Sequence, residues 1–356
     1  MHRVLITGSS GYVGLMLVEK FLARPDVDLI IALDKEPSPE DWKKNPKIIC
    51  IQKNTADAWE IEAAQYEPDI VVHTAWQIRD MYGRSETQHR WNIVGTDKVF
   101  DFALARSSVR RLVHFSTVAS YGAFAENEIE HLFTEEELFR VSEYRYAEEK
   151  RVSEEHLATK YEAARSHGAE VDVAIIRPAA ITGPRGRFAR IRFGLQSALS
   201  GQLSGSFMYS LVSALTSFIP ATPKWARQFI HEDDIVDGAE LLAFDSRVKG
   251  YQAYNLCPPG RAVLSADMAR AVGKKVVPIA PQFVRFAFFI LWHVSMGKIP
   301  TSRGAWRGYS YPIIVTGEKF ARTFGFVYRM SPLDAFMYTD GRYESSVPEG
   351  KRKHRV

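Results

Sequence analysis

The chain has 356 residues, 46% of them hydrophobic and 25% charged, with a formal net charge of only +4. That balance suits one large α/β core with a smaller lobe; it excludes a disordered chain and gives no sign of a nucleic-acid binder. Two cysteines without metal-ligand spacing, Cys50 and Cys257, predict neither a disulfide framework nor a zinc site and fit a reducing, cytoplasmic setting.

The opening stretch Val4-Leu5-Ile6-Thr7-Gly8-Ser9-Ser10-Gly11-Tyr12-Val13-Gly14 reads as strand, tight turn and helix start, with a first strand from Arg3 or Val4 leaving no signal peptide. Gly8 lets the chain leave the strand sharply, and Gly11 opens backbone N–H groups to a pyrophosphate. Gly14 allows the following helix, through Leu22, to pack on the sheet, its N-terminus facing the phosphates. A second strand, Leu29 to Leu33, ends at Asp34, twenty residues past Gly14. A carboxylate there accepts the adenosine-ribose hydroxyls and repels a 2′-phosphate, which puts NAD ahead of NADP, with Lys35 pulling the other way.

Further along, Glu36 to Pro46 is loop, Lys47 to Ile51 a strand, Ala58 to Tyr66 a helix and Ile70 to His73 a strand running into Thr74-Ala75-Trp76. A long helix is expected over Glu86 to Ala105, a strand over Arg111 to Phe115, a helix over Tyr144 to His167 and a strand over Val171 to Ile176. This alternation demands right-handed crossovers and a doubly wound parallel sheet of Rossmann type. It breaks after Gly183-Pro184. The dinucleotide-binding domain is therefore assigned to residues 1–184, rejoined by 225–260 through the strand Phe229 to His231, the helix Ile235 to Ala243 capped by Asp233-Asp234, and the strand Tyr251 to Leu256. Residues 185–224 and 261–356 form a smaller, mostly helical substrate lobe on the C-terminal side. Its apolar stripe Phe207 to Ile219 reads as lobe core or a greasy lid. Phe283 to Val294, broken by Arg285, is too short for an integral membrane segment; burial in the core is expected, ahead of a lid or a membrane contact. The acidic run Glu126 to Glu137 reads as a water-exposed loop or helix face, and Lys351 to Arg355 as a solvated tail.

Tyr146 and Lys150 stand four apart on a predicted helix and so share a face. An ammonium beside a phenol favours phenolate and readies it for proton transfer. Thr117 follows the fifth strand, at the carboxyl edge where open α/β sheets bind ligands. His231 with Asp233 and Asp234 fits a strand-to-helix junction better than a metal cluster, so no metal is expected.

With these residues in place the chain resembles the extended short-chain dehydrogenases/reductases, the group containing nucleotide-sugar epimerases and dehydratases. The resemblance is carried by Thr7-Gly8-x-x-Gly11-x-x-Gly14, Asp34, His73-Thr74-Ala75, Asn92-x-x-Gly95-Thr96, Ser116 to Gly122, Tyr146-x-x-x-Lys150, Arg177-Pro178 with Gly183-Pro184, Phe229-Ile230-His231-x-x-Asp234 and Tyr254-Asn255-Leu256. It implies that Tyr146 exchanges a proton with a substrate hydroxyl, Lys150 holds the nicotinamide ribose and lowers the tyrosine pKa, and Thr117 binds the reacting oxygen. Gly8, Gly11, Tyr12, Val13 and Gly14 would hold the pyrophosphate. Asp34 and Lys35 would face the adenosine ribose, and Asn54 and Thr55 the adenine side, where the family usually has an acid. Thr74, Ala75, Trp76, Asn92, Pro178 and Ile181 complete the implied cofactor contacts. Homodimers through helices at about 92–106 and 146–165 are also implied, with Val99, Phe100, Phe102 and Leu104 available.

Val118 and Ala119 stand where dehydratases carry Asp-Glu and where 3,5-epimerases carry a cysteine, so neither reaction is expected. Arg227 matches the arginine that nucleotide-sugar enzymes direct at the diphosphate and favours 4-epimerisation of a nucleotide sugar. Ala180, in place of an asparagine on the nucleotide phosphates, and Arg177-Pro178-Ala179-Ala180-Ile181 resemble 3β-hydroxysteroid and dihydroflavonol-type reductases instead. The epimerase stands first and the hydrophobic-alcohol enzyme second. A non-catalytic NAD(P) sensor is third, because such proteins usually lose the tyrosine or lysine that is present here.

Overall fold

Short apolar runs closed by glycine turns give a seven-stranded sheet. The computed structural model describes residues 1–187, 218–271 and 273–355. The sheet runs β3 (Ile48–Gln52), β2 (Val27–Asp34), β1 (His2–Thr7), β4 (Ile70–His73), β5 (Arg111–Phe115), β6 (Asp172–Pro178) and β11 (Tyr251–Leu256). The pairings from β3 through to β6 are all parallel. Parallel strands are covered on both faces, which is why Val4, Leu5 and Ile6 are all fully buried rather than alternating. The expected doubly wound α/β architecture is present.

The chain divides into two compact units. The first comprises Met1–Thr117, Glu149–Arg177 and Val236–Tyr254. It holds helices α1 (Tyr12–Leu22), α2 (Glu60–Ala64), α3 (Ser85–His89) and α4 (Gly95–Ala105). The single helix expected over 86–105 is interrupted by a π-helical turn, Arg90–Val94. Asn92 sits in that turn, and both of its amide atoms are spent on neighbours: Oδ1 accepts from Gln77 N at 2.7 Å, and Nδ2 donates to Glu149 at 2.6 Å. Val99, Phe100, Phe102 and Leu104 belong to the unit's own core with Leu5, Val71 and Leu112. They cannot serve as a dimer face; α4 turns Asp97 and Asp101 to His156 and Lys160 of the same unit.

The second unit comprises Val118–Glu148, Pro178–Ile235 and Asn255–Val356. It takes in residues 118–148, which the sequence pattern assigned to the dinucleotide domain. Glu126, Glu128, Glu130 and Glu136 of the acidic run are exposed in a loop, as expected, and the segment is tied to its own unit: Phe133 bridges to Val315, Asn127 donates to Pro312 O at 2.7 Å, and Tyr121 donates to Asn255 at 3.0 Å. Among the described residues the unit also carries short strand pairs. It pairs β7 (Ala180–Thr182) with β10 (Phe229–His231), β8 (Phe218–Ala221) with β13 (Lys275–Pro278), and β9 (Ala226–Arg227) with β12 (Val263–Leu264).

Helix α5 (Arg145–Ser166) starts in this unit and continues into the first, as does α6 (Glu232–Phe244). The acids opening α6 each fasten a different segment. Glu232 accepts from Arg185 N at 3.0 Å, Asp233 from Arg342 N at 2.8 Å, and Asp234 from Arg329 N at 3.1 Å. They therefore clamp distant backbone, and as acids in the first turn their charge suits the N-terminus of α6. Helices α7 (Ser265–Ala271) and α8 (Pro281–Val294) follow. Contrary to expectation α8 is not core: of its fourteen residues only Val284 is buried. Residues 207–217 of the apolar stripe lie outside the described residues.

Candidate active site

The site is assembled at the carboxyl ends of β1, β2, β4 and β5. Gly8 leaves β1 with φ +74°, and a Cβ there would stand 2.5 Å from Ala75 N. At Gly14 a Cβ would stand 2.0 Å from Gly8 O, so only glycine lets α1 start this close to the strand end. Gly11 precedes the first turn of α1 and offers no side-chain cap, and a helix N-terminus of this kind suits an anion. Thr74 closes the turn from β4, donating to Thr7 O at 2.8 Å.

Asp34 ends β2 and accepts from Ser10 N and Glu36 N, each at 2.9 Å. Burial raises its pKa, and those two backbone donors oppose the rise. Lys35 is engaged by Glu36 at 2.5 Å and lies 4.9 Å from the Trp91 ring. Asn54 makes a local turn, its Oδ1 accepting from Ala56 N at 2.9 Å, and the buried Thr55 receives the Trp59 indole N–H on its carbonyl at 2.9 Å.

Thr117 follows β5 and is buried. Lys150, on the next turn of α5 after Tyr146, is buried as well, donating to Phe115 O with its ammonium 3.6 Å from the centre of the Trp76 ring. Burial drives its pKa well below the ordinary lysine value, and the carboxylates of Glu154 and Glu149 pull it back. Tyr146 is half-buried, its ring 5.8 Å from Tyr144. Behind Lys150 two buried histidines stack at 5.4 Å, His73 and His114. His73 is held between Thr7 Oγ1 at 2.6 Å and Thr96 Oγ1 at 2.8 Å, and His114 lies 3.3 Å from Ser153. Burial first, then Lys150, keeps both well below the ordinary imidazole value, hence neutral.

These residues fit a dinucleotide. Besides the glycine cradle, three buried polar atoms lack a partner among the described residues: Ser9 Oγ after β1, Trp76 Nε1 after β4 and Ser116 Oγ after β5. A buried donor without a partner is costly, and three at adjacent strand ends mark the place of a polar ligand. Sequence reasoning gave Ser9 no role beyond its place in the tight turn, and no signal in the sequence pointed to the Phe115 carbonyl as the lysine's acceptor.

Pro178, Ala180, Ile181 and Arg227 belong to the second unit. Pro178 ends β6; Ala180 and Ile181 lie in β7, with Ala180 opposite Phe229. Arg227 on β9 donates to Gly308 O at 3.2 Å and stands 5.5 Å from the Tyr309 ring. A cavity of about 410 Å³ in the second unit, lined by His231, Asp233, Arg329 and Arg342 among others, contains none of the proposed catalytic side chains. Asp340, Glu344 and His354 bring ligand atoms within 4.8 Å of one another. Arg352 and Arg355 approach the same carboxylates at 3.9 and 3.7 Å, which makes an ion-pair cluster of them.

The model of the NAD dependent epimerase/dehydratase family matches residues 4–257. Human 3 beta-hydroxysteroid dehydrogenase type 7 is 32% identical over 124 residues, 33% of this chain and 33% of that protein. The match thus spans about a third of that relative's length. Sterol demethylase protein B of Methylococcus capsulatus is 27% identical over 254 residues, 69% of this chain and 67% of that one. Among solved structures, the UDP-glucose 4-epimerase of Thermus thermophilus, in complex with NAD, superposes with a TM-score of 0.67 at 18% identity, covering 95% of this chain and 97% of that one, a likeness of fold.

Proposed function

The chain belongs to the NAD dependent epimerase/dehydratase family, and we propose that it interconverts a secondary alcohol and a ketone with NAD, on a hydrophobic substrate of the 3β-hydroxysteroid kind. The carrying observation for the chemistry is the spacing of Tyr146 and Lys150 on α5, with Lys150 tied to the strand end that leads into Thr117. In the oxidative direction Tyr146, as phenolate, takes the hydroxyl proton of the substrate. Thr117 donates a hydrogen bond to that oxygen, and the Lys150 ammonium stabilises the phenolate. Bound NAD supplies the acceptor for the hydride that leaves the carbinol carbon. Asp34 supports NAD over NADP, and Lys35, engaged by Glu36, leaves a 2′-phosphate poorly served.

The substrate class rests on Arg227. A diphosphate needs a free bidentate guanidinium, and here that group is engaged by Gly308 O and the Tyr309 ring. Ala180 removes a second polar contact, and the likeness to a sterol demethylase protein over most of the chain points the same way. The second reading, 4-epimerisation of a nucleotide sugar, keeps the presence of Arg227 in its favour, provided the Gly308 contact yields to phosphate.

The test is a panel of 3β-hydroxysteroids and other apolar alcohols beside UDP-sugars, followed by NADH absorbance and product stereochemistry. Stoichiometric NADH from an apolar alcohol is expected. Inversion of a sugar carbon without net NADH would transfer the assignment to the epimerase. In either case Tyr146→Phe should lose turnover by about a hundredfold or more with NAD binding intact; unchanged behaviour would leave a sensor.

A further inference from the structure

Helix α8 is apolar on both sides. Spaced at 3.6 residues per turn, Val284, Phe288 and Trp292 form one face and Phe283, Phe286, Phe289, Ile290 and Val294 the broad opposite one. The first face is satisfied inside the second unit: Val284 is buried and the Phe288 ring meets Tyr309 at 5.0 Å. The second is left open among the described residues. Phe283 is 71% exposed, Phe286 64%, Phe289 60% and Val294 78%, with Met296 just beyond at 64%. Scattered apolar residues on a surface are ordinary, but a contiguous aromatic row on one helix marks an interaction surface.

Its surroundings identify the partner. From Met268 to Gly317 there is no Asp or Glu at all, against seven Lys and Arg: Arg270, Lys274, Lys275, Arg285, Lys298, Arg303 and Arg307. That stretch is more positive than the whole chain, whose formal charge is +4. Arg285 on the helix, Lys298 four residues past its end and Lys275 six residues before its start are all exposed. We propose that α8 docks on an anionic lipid bilayer, lying in the interfacial plane with its Phe row in the acyl region and these cations at the headgroups. A second copy of the chain is the poorer occupant, because it would bring the same positive charge face to face. Spanning is excluded by length, since fourteen residues reach about 21 Å against about 30 Å of hydrocarbon. An interfacial helix joins these same two features, an apolar face and flanking cations. The inference is independent of the substrate reading.

Co-sedimentation of the full chain with phosphatidylcholine vesicles, and with equimolar phosphatidylcholine and phosphatidylglycerol, tests it without substrate or cofactor. Binding is expected on the anionic vesicles, weakened severalfold by raised salt. Phe283→Ser/Phe286→Ser/Phe289→Ser should lose about tenfold or more of the partitioning, and Lys275→Gln/Lys298→Gln severalfold on anionic vesicles only. The replaced side chains are exposed, so circular dichroism and NAD binding should not change. Absence of wild-type binding, or equal binding by the triple variant, overturns the proposal. So does a dimer that the triple variant dissolves while neither protein binds vesicles.

Discussion

The Lys150 ammonium is held by the face of Trp76, 3.6 Å from the ring centre, and by the carbonyl of Phe115. Among the described residues no carboxylate touches it. Glu149 is turned to Asn92 at 2.6 Å, and Glu154 to Arg177 at 2.7 Å. The cation is therefore kept by a π face and a dipole, at a desolvation cost that the rest of the fold carries.

That cost predicts a trade between stability and turnover. The folded pKa of Lys150 lies below the unfolded value of 10.5, so folding disfavours its ammonium form. The penalty is full below the folded pKa and fades as pH rises toward and past 10.5. Lys150→Met removes the charge and keeps the stem. It should abolish turnover yet be at least as stable as the parent at pH 7, by about 1–3 kcal/mol, with the gain shrinking in alkali. Denaturant melts at neutral and alkaline pH measure this, and a large loss of stability at pH 7 would refute it.

Trp76 should act through Lys150. Its π face favours the ammonium, so removing it lowers the lysine pKa further. Trp76→Phe keeps a ring and should stay within a fewfold of the parent. Trp76→Leu should move the alkaline loss of kcat/KM to lower pH by about one unit, the equivalent of a cation–π contact. A pH profile identical in the two variants would reduce Trp76 to packing.

The sheet and its glycine turn were legible because they obey local rules. A buried parallel strand is a continuous apolar run, and the crowding at Gly8 and Gly14 admits one residue type. Tyr146 and Lys150 share a helix as their spacing predicts, and it is the glycine turn and the Ser116-Thr117 strand end that single this pair out from an ordinary helix face. What escaped the sequence depends on distant chain. Asp233 and Asp234 read as a local cap, and nothing local showed that they also fasten residues 342 and 329, or that Glu232 beside them fastens residue 185. Asn92 carries a family motif, yet its amide is spent bracing Gln77 and Glu149. Helix α8 reads as core because composition reports hydrophobicity and not which face finds a neighbour.

The buried histidine pair predicts acid sensitivity. His73 and His114 are both held below the unfolded value of 6.5, so the unfolded chain binds more protons once pH falls below that value. Stability attributable to their neutrality is complete above 6.5 and is lost as pH drops from there toward their folded values. Thermal melts between pH 8 and pH 5 should show a falling Tm, reflecting an unfolding free energy that drops by up to about 2.7 kcal/mol per pH unit, two protons' worth. His114→Gln, which keeps a polar group toward Ser153, should roughly halve the slope. An unchanged slope would place the acid transition elsewhere.

Asp34 offers the sharpest separation of cofactors. Both of its oxygens are already oriented by backbone donors, Ser10 N and Glu36 N, so the carboxylate is set before any ligand arrives. A preset anion gains hydrogen bonds from two ribose hydroxyls and repels a 2′-phosphate at the same point. Asp34→Ala removes both effects at once. Affinity for NAD should fall by about tenfold or more while affinity for NADP holds or rises, narrowing the ratio by at least about tenfold. Calorimetric titration of both cofactors into parent and variant reads the ratio directly. Because Lys35 stays paired with Glu36, the variant should not invert to a strong NADP preference unless Glu36 is also neutralised. A parent that binds both cofactors equally, with a variant that changes neither, would remove Asp34 from the site.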